Sequence, residues 1–226
     1  MASQAGSAAG GGGTGKRQKG VEERRLRLVK AASELIAERE DGAFSMPELA
    51  KRAGLSLATP YNLFGSKAGV LSQVCERLVD GFHRDDSWMD GLPPCDRIFG
   101  VIDRLVVAYE KQGDMFRNLW TALYGLDIAE HRHLNLSVSA RIVTPLVASL
   151  ARDKLLVSSV PLSAIESTLV RLFDANFEMW AAQDWPPSEL RRQLRLGFAM
   201  VFLGLLDPSQ RAELEAVIEA ESPTSA

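Results

Sequence analysis

The sequence predicts an all-α protein, and three observations carry that prediction. Apolar residues recur at helical spacing in every long segment, as in Ile98, Val101, Ile102, Leu105 and Val106. Segments end at glycine and proline stops, "EDG" at 40–42, "DWPP" at 184–187 and "DP" at 207–208. No stretch alternates apolar and polar residues long enough to require a strand. With 226 residues, 46% of them hydrophobic, the chain can bury a substantial core and suits one large or two smaller domains.

Taken in order, residues 1–20, "MASQAGSAAGGGGTGKRQKG", are too rich in Gly, Ser and Ala to pack and lack the apolar centre of a signal peptide. They are expected to form a disordered tail on a cytoplasmic protein. Leu28, Ala31, Ala32, Leu35 and Ile36 place a first helix over 21–40. "SMPE" at 45–48 is a capping-box pattern in which Ser45 accepts from the backbone near Glu48 and Pro47 occupies the tolerated first turn, opening a second helix over 46–53. Gly54 supplies a turn, and Ser56 is expected to cap a short third helix ending at Phe64. Gly65 and Ser66 restart the chain, and Lys67 begins a fourth helix with Val70, Leu71, Val74, Leu78 and Phe82 on its inner side.

Beyond a polar joint at 85–94 the helical pattern continues. The stripe from Ile98 leads into Tyr109. Phe116, Leu119, Trp120, Leu123 and Tyr124 form the next, and Leu134 to Leu156 give a longer one interrupted by Pro145. Two strong helices, about 162–182 and 187–206, and a terminal one complete the chain. The longest apolar runs, such as "FAMVFLGLL" at 198–206, fall well short of the roughly 20 residues of a membrane span.

Two residues look locally unfavourable. Pro60 lies in the short third helix, where it removes a backbone donor, and Lys67 sits at a helix N-terminus, where a cation opposes the macrodipole. A polyanionic partner resolves the second, and a place near the helix start limits the first. Residues 45–64 read as a helix-turn-helix, in which small side chains on the first exposed turn allow close approach to a major groove. Ser56, Ala58 and Thr59 meet that need, Tyr61 offers a hydroxyl to a phosphate, Asn62 an amide to a base edge, and Lys67 with its neighbouring amides holds a further phosphate. The net −3 divides into 13 Lys and Arg against 10 Asp and Glu in residues 16–85, and 13 against 19 in residues 86–226, a split that suits a module meeting a polyanion at one end but that chance variation in solvated faces explains as well on charge alone. A plain three-helix bundle with Tyr61 and Phe64 as core gives no role to Lys67 or to the small polar turn. The basic "KRQK" at 16–19 reads as a solvated tail rather than a DNA-binding arm.

From 24 to 72 the sequence resembles the TetR family of bacterial transcriptional regulators. "SMPELAKRAGLSLATPYNLFGSKAGVL" looks like that family's helix-turn-helix with a Tyr-x-x-Phe pair and a Ser-Lys start to helix four. "FEMWAAQDWPPSELRRQLRLGFAMVFLGLL" is similar to its dimerising final helices. The resemblance implies DNA contacts from Ser45, Ser56, Ala58, Thr59, Tyr61, Asn62 and Lys67. Ala58 stands where the family often has glycine, and Pro60 where it has a larger apolar residue. It further implies a helix-turn-helix DNA-binding domain over 21–67, a connecting helix over 68–85, and a helical ligand-binding and dimerisation domain over 86–226. An apolar cavity is expected among Phe116, Trp120, Tyr124, Arg141, Phe173, Asn176, Phe177 and Trp180, as is an interface through Leu169, Leu172, Phe173, Leu190, Leu194, Phe198, Val201, Phe202 and Leu205; intramolecular core is the alternative for both sets.

Catalysis finds no machinery in the chain. Glycine-rich phosphate loops and nucleophile elbows are missing. His131 and His133 of "EHRH" at 130–133, beside Glu130, lack the i, i+3 or i+4 spacing that places two ligands on one helix face, so no metal and no cofactor is expected. Cys75 and Cys95, far apart, read as free thiols in a reducing compartment. The expected protein is a cytoplasmic homodimeric regulator, a repressor that leaves a palindromic double-stranded DNA operator on binding an apolar or amphipathic small molecule. The alternatives are a ligand-independent DNA binder and a helical carrier of apolar molecules.

Overall fold

The computed structural model describes residues 12–83, 87–157, 159–183 and 185–223. Its architecture is all-α, with ten helices among the described residues. Helix α1 (Gly12–Ala37) starts nine residues before the predicted 21 and ends three before the predicted 40. The part of the expected tail at 12–20 is thus helical, while residues 1–11 lie outside the described residues. Glycine disfavours helix by about 1 kcal/mol, yet only proline would remove the hydrogen bond, and none precedes Val21.

Three helices follow as the sequence pattern requires. In α2 (Met46–Arg52) Ser45 accepts from the Glu48 amide at 3.3 Å, as the capping box predicts, but the Glu48 carboxylate turns away to pair with Arg39. The turn after it closes with Leu55 N–H on the Ala50 carbonyl at 2.9 Å and Gly54 N–H on that of Lys51 at 3.1 Å. This left-handed closure needs Gly54, whose φ is 63°. Helix α3 (Ala58–Phe64) is entered from Leu57, without a side-chain cap. The expected Ser56 cap is corrected here. A capping oxygen would serve the second or third amide of the helix, but the third residue is Pro60, which has none, and the Thr59 amide already bonds the Ser56 carbonyl at 2.9 Å. The Ser56 hydroxyl instead meets Thr59 Oγ1 at 2.8 Å. Pro60 itself is buried in the first turn. Helix α4 (Lys67–Phe82) is capped by Ser66, which accepts from Gly69 N–H at 3.2 Å.

The remaining helices are α5 (Pro94–Lys111), α6 (Gly113–Tyr124), α7 (Ile128–Arg152), α8 (Leu162–Gln183), α9 (Pro187–Phe202) and α10 (Arg211–Glu221). Asp127 caps α7 by accepting from the amides of Ala129 and Glu130, and the helix then runs unbroken through Pro145, where an interruption was predicted. Helix α8 packs between α7 and α9, and α9 also covers α5 and carries α10. Their seam is filled by Trp180, Phe198 and Phe202, all essentially inaccessible to solvent. Arg97 of α5 is buried with its charge matched: Nε donates to the Leu92 carbonyl at 2.9 Å and Nη1 to Asp153 Oδ2 at 2.6 Å.

A single hydrophobic cluster runs from the first four helices into the rest. Two contacts fix that junction. Asn118 of α6, buried, donates from Nδ2 to the Ile36 carbonyl near the end of α1 at 3.1 Å. Just after it Gly42, with φ 56°, lies so close to α6 that a Cβ would fall 2.0 Å from the Asn118 carbonyl oxygen. Arg141 of α7 reaches across to Asp80 of α4, a second tie between the two parts.

Candidate nucleic-acid interface and effector cavity

At the outer end of the four-helix head, α3 stands with one face packed and the other in solvent. Leu63 and Phe64 turn inward, and Pro60 is buried beneath them. On the solvent side Ser45, Ser56, Ala58, Tyr61 and Asn62 are exposed and Thr59 is half-buried. Half of Tyr61 is accessible, so it is no core residue. Helix α1 braces this arrangement from behind. Arg25 donates to the Leu63 carbonyl at 3.0 Å and lies over the Phe64 ring, and Arg27 holds the carbonyls of Ala53 and Gly54 in the turn between α2 and α3. These two arginines were not singled out in the sequence; their spacing by two residues gives no helical-face signal. Leu57, 63% accessible at the start of α3, is another unanticipated member of the outer surface.

Lys67 lies beside α3 at the start of α4. Its ammonium sits 4.9 Å from the centroid of the Phe44 ring, and partial burial pulls its pKa below the usual lysine value, with Asp41 opposing. A phosphate oxygen would relieve that burial and find the first amides of α4 alongside.

Behind the head, α4, α5, α6, α7 and α8 enclose a cavity of about 370 Å³. Four of the eight residues expected there line it: Phe116, Trp120, Phe173 and Phe177. The other four are placed elsewhere. Tyr124 is exposed and hydrogen-bonded to Glu178, with burial and that carboxylate pushing its phenol up to about 12. Arg141 is drawn out by its ion pair to Asp80, Asn176 donates to the Leu172 carbonyl of its own helix at 2.8 Å, and Trp180 is packed between Tyr109 and the Arg117 guanidinium. Much of the remaining wall comes from α4, through Leu78 and Phe82, which the helical period marks only as an inner face, and through Cys75 and Val79. Burial pushes the Cys75 thiol up to about 12, which leaves it an unreactive thiol.

Of the residues expected at a dimer interface, Leu169, Phe173, Leu190, Leu194, Phe198, Phe202 and Leu205 are buried within the single chain. That expectation is corrected: side chains already enclosed by α5, α7 and α10 have no surface to give a second copy. Leu172 and Val201 are only partly covered. The side chains of His131 and His133 lie outside the described residues, and no metal-binding group occurs among the described ones.

Residues 28–74 match the family model of bacterial regulatory proteins of the tetR family. That segment is similar to the tetR family's regulatory proteins. No curated protein matches the chain. Among solved structures it is similar in fold to a TetR transcriptional regulator from Rhodococcus sp. RHA1, with TM-score 0.66 and 18% identity over 84% of this chain and 100% of that one. It is similar also to Thermus thermophilus FadR in complex with lauroyl-CoA, with TM-score 0.62 and 22% identity over 81% and 95% of the two chains. RolR in complex with resorcinol aligns with TM-score 0.62 and 15% identity over 92% and 100%. The matched TetR segment spans α3 and the first half of α4, the elements that carry Ser56 to Lys67. No helix of the described residues is long and apolar enough to cross a membrane.

Proposed function

We propose that the protein is a regulator of the TetR type, a homodimeric repressor that reads a palindromic operator and leaves it when an apolar or amphipathic small molecule enters the cavity. One observation carries the reading. Helix α4 begins beside α3 at Lys67, and its last two turns, from Cys75 to Phe82, wall the cavity. Sixteen residues span about 24 Å at 1.5 Å each, so one rigid element joins the DNA face to the ligand site. Ligand that binds better to a dimer with wrongly spaced heads shifts the population away from the operator.

In this reading Ser56, Ala58, Thr59 and Asn62 enter the major groove, while Ser45, Tyr61 and Lys67 hold phosphates. Two heads must meet successive grooves roughly 34–36 Å apart, which calls for a two-fold dimer. With the core residues of α8 and α9 excluded, the proposed interface is formed by positions flanking the α8–α9 contact: exposed Thr168, Ala175 and Met179 on α8, and half-buried Leu196 and exposed Met200 on α9. Met200 is 61% accessible, unusual for a large apolar residue in a chain with this much core. Lauroyl-CoA in FadR and resorcinol in RolR are the ligands of two proteins of similar fold, and they support an effector role for the cavity here.

The test is selection of bound fragments from genomic DNA, followed by titration of the recovered palindrome with the protein. Two protomers per site and an affinity lowered by small molecules that bind the protein are the expected outcome. A single protomer per site, or affinity indifferent to every molecule that binds the cavity, contradicts it.

A further inference from the structure

Among the described residues that line the α4–α8 cavity, only Arg77 is ionic, and no carboxylate joins it. Arg77 is exposed and makes no ion pair or hydrogen bond with a described residue. With Leu78 and Gln112, it also lines an open groove of about 710 Å³ between α1 and α4. These three residues therefore form the partition between the apolar chamber and the solvent-filled groove. On the groove side the opposite wall brings Lys30 of α1, whose contact with Glu34 is loose at 3.9 Å. The other polar groups of the chamber are neutral: Tyr109, whose hydroxyl makes no hydrogen bond with a described residue, the thiol of Cys75, and Ser139, whose hydroxyl donates to Asp174 at 3.3 Å.

We infer that the effector is an amphipathic anion, with an apolar body in the chamber and a single carboxylate at the partition, held by Arg77 and Gln112. This rests on the reading of the chamber as the effector site. A cationic end would find no carboxylate among the chamber's described residues, and Glu34 on the groove wall already faces Lys30 and Arg52; a buried anion would bear the desolvation of its charge. At the partition the carboxylate keeps water on its groove side while gaining charge-assisted hydrogen bonds from the guanidinium. The charged end then lies between α4 and α1, the two helices that carry the DNA-binding head, so the ligand meets the head directly as well as through the chamber.

The experiment measures dissociation constants of decanoate and 1-decanol for the full-length protein by tryptophan fluorescence and calorimetry, in the wild type, Arg77→Gln and Arg77→Lys. Decanoate is expected to bind about ten-fold more tightly than decanol to the wild type, as one partly solvated charge-assisted contact allows. Arg77→Gln abolishes that preference, and Arg77→Lys retains part of it. Equal binding of the two, or a preference that survives Arg77→Gln, overturns the anionic end while leaving the chamber as an apolar site. Binding of neither overturns the effector chamber and the anion together.

Discussion

Tyr61, Asn62 and Lys67 occupy neighbouring positions but are assigned different tasks. A phosphate contact holds any duplex, whereas an amide on a base edge distinguishes one sequence from another. Tyr61→Phe is therefore expected to weaken binding to operator and to unrelated DNA alike by about 1 kcal/mol, the usual scale of one hydrogen bond. Asn62→Ala should instead change the order of preference among base substitutions in the operator. Competition binding against a panel of single-base variants distinguishes the two. Gly42 makes a different kind of prediction. Its φ of 56° and its approach to the Asn118 carbonyl leave no room for a side chain. Gly42→Ala should cost about 2–4 kcal/mol of stability, read as a lowered urea midpoint. The exposure of the residues proposed to face DNA was legible in the sequence because small polar residues ahead of an apolar anchor form a local pattern. Gly42 and Asn118 were not, since they meet across 76 positions, with no periodicity joining them.

Among the elements, α2 is tied to α1 and the residues just after it by ion pairs of Arg39 with Glu48 and of Arg52 with Glu34 and Glu38. Glu38 is held below its ordinary 4.5 chiefly by its hydrogen bond from Arg52, and Glu48 below the same value chiefly by that from Arg39. Carboxylates depressed in the folded head bind fewer protons there than in the unfolded chain. Their stabilisation is therefore present above pH 4.5 and is lost as the pH falls through the folded values. The double variant Glu38→Gln with Glu48→Gln should show a shallower loss of stability below that pH than the wild type, measured by urea unfolding across the acid range. At the other end, Met200→Asp on α9 would place a charge in the proposed dimer interface. Sedimentation equilibrium should show dimer affinity reduced about 100-fold or more, with an unchanged helical spectrum. Element types and most boundaries were readable from the helical period and the Gly and Pro stops. The early start of α1 was not, because glycine composition argues only propensity. The continuity of α7 through Pro145 was hidden for a related reason: a proline inside a long packed helix removes one hydrogen bond without ending it.

Over the whole molecule, apolar periodicity does not distinguish three destinations for a leucine or phenylalanine: intrachain core, cavity wall and partner surface. Phe198 and Phe202 were expected at an interface and fill the core, while Leu78 and Phe82 looked like core and border the cavity. Only the packing of α5, α7 and α10 around α8 and α9 separates them, and that depends on contacts far apart in the chain. The functional account nevertheless reduces to one arrangement, two heads with Lys67 at the phosphates of a single duplex. Counterion release counts those contacts, at a slope of about 0.9 in log affinity against log salt per phosphate neutralised. The decisive measurement is the salt dependence of operator affinity for the wild type and for Lys67→Ala. A fall in slope of about 1.8, one lysine from each protomer, is the predicted result, and an unchanged slope would contradict the placement of α3 and α4 on DNA.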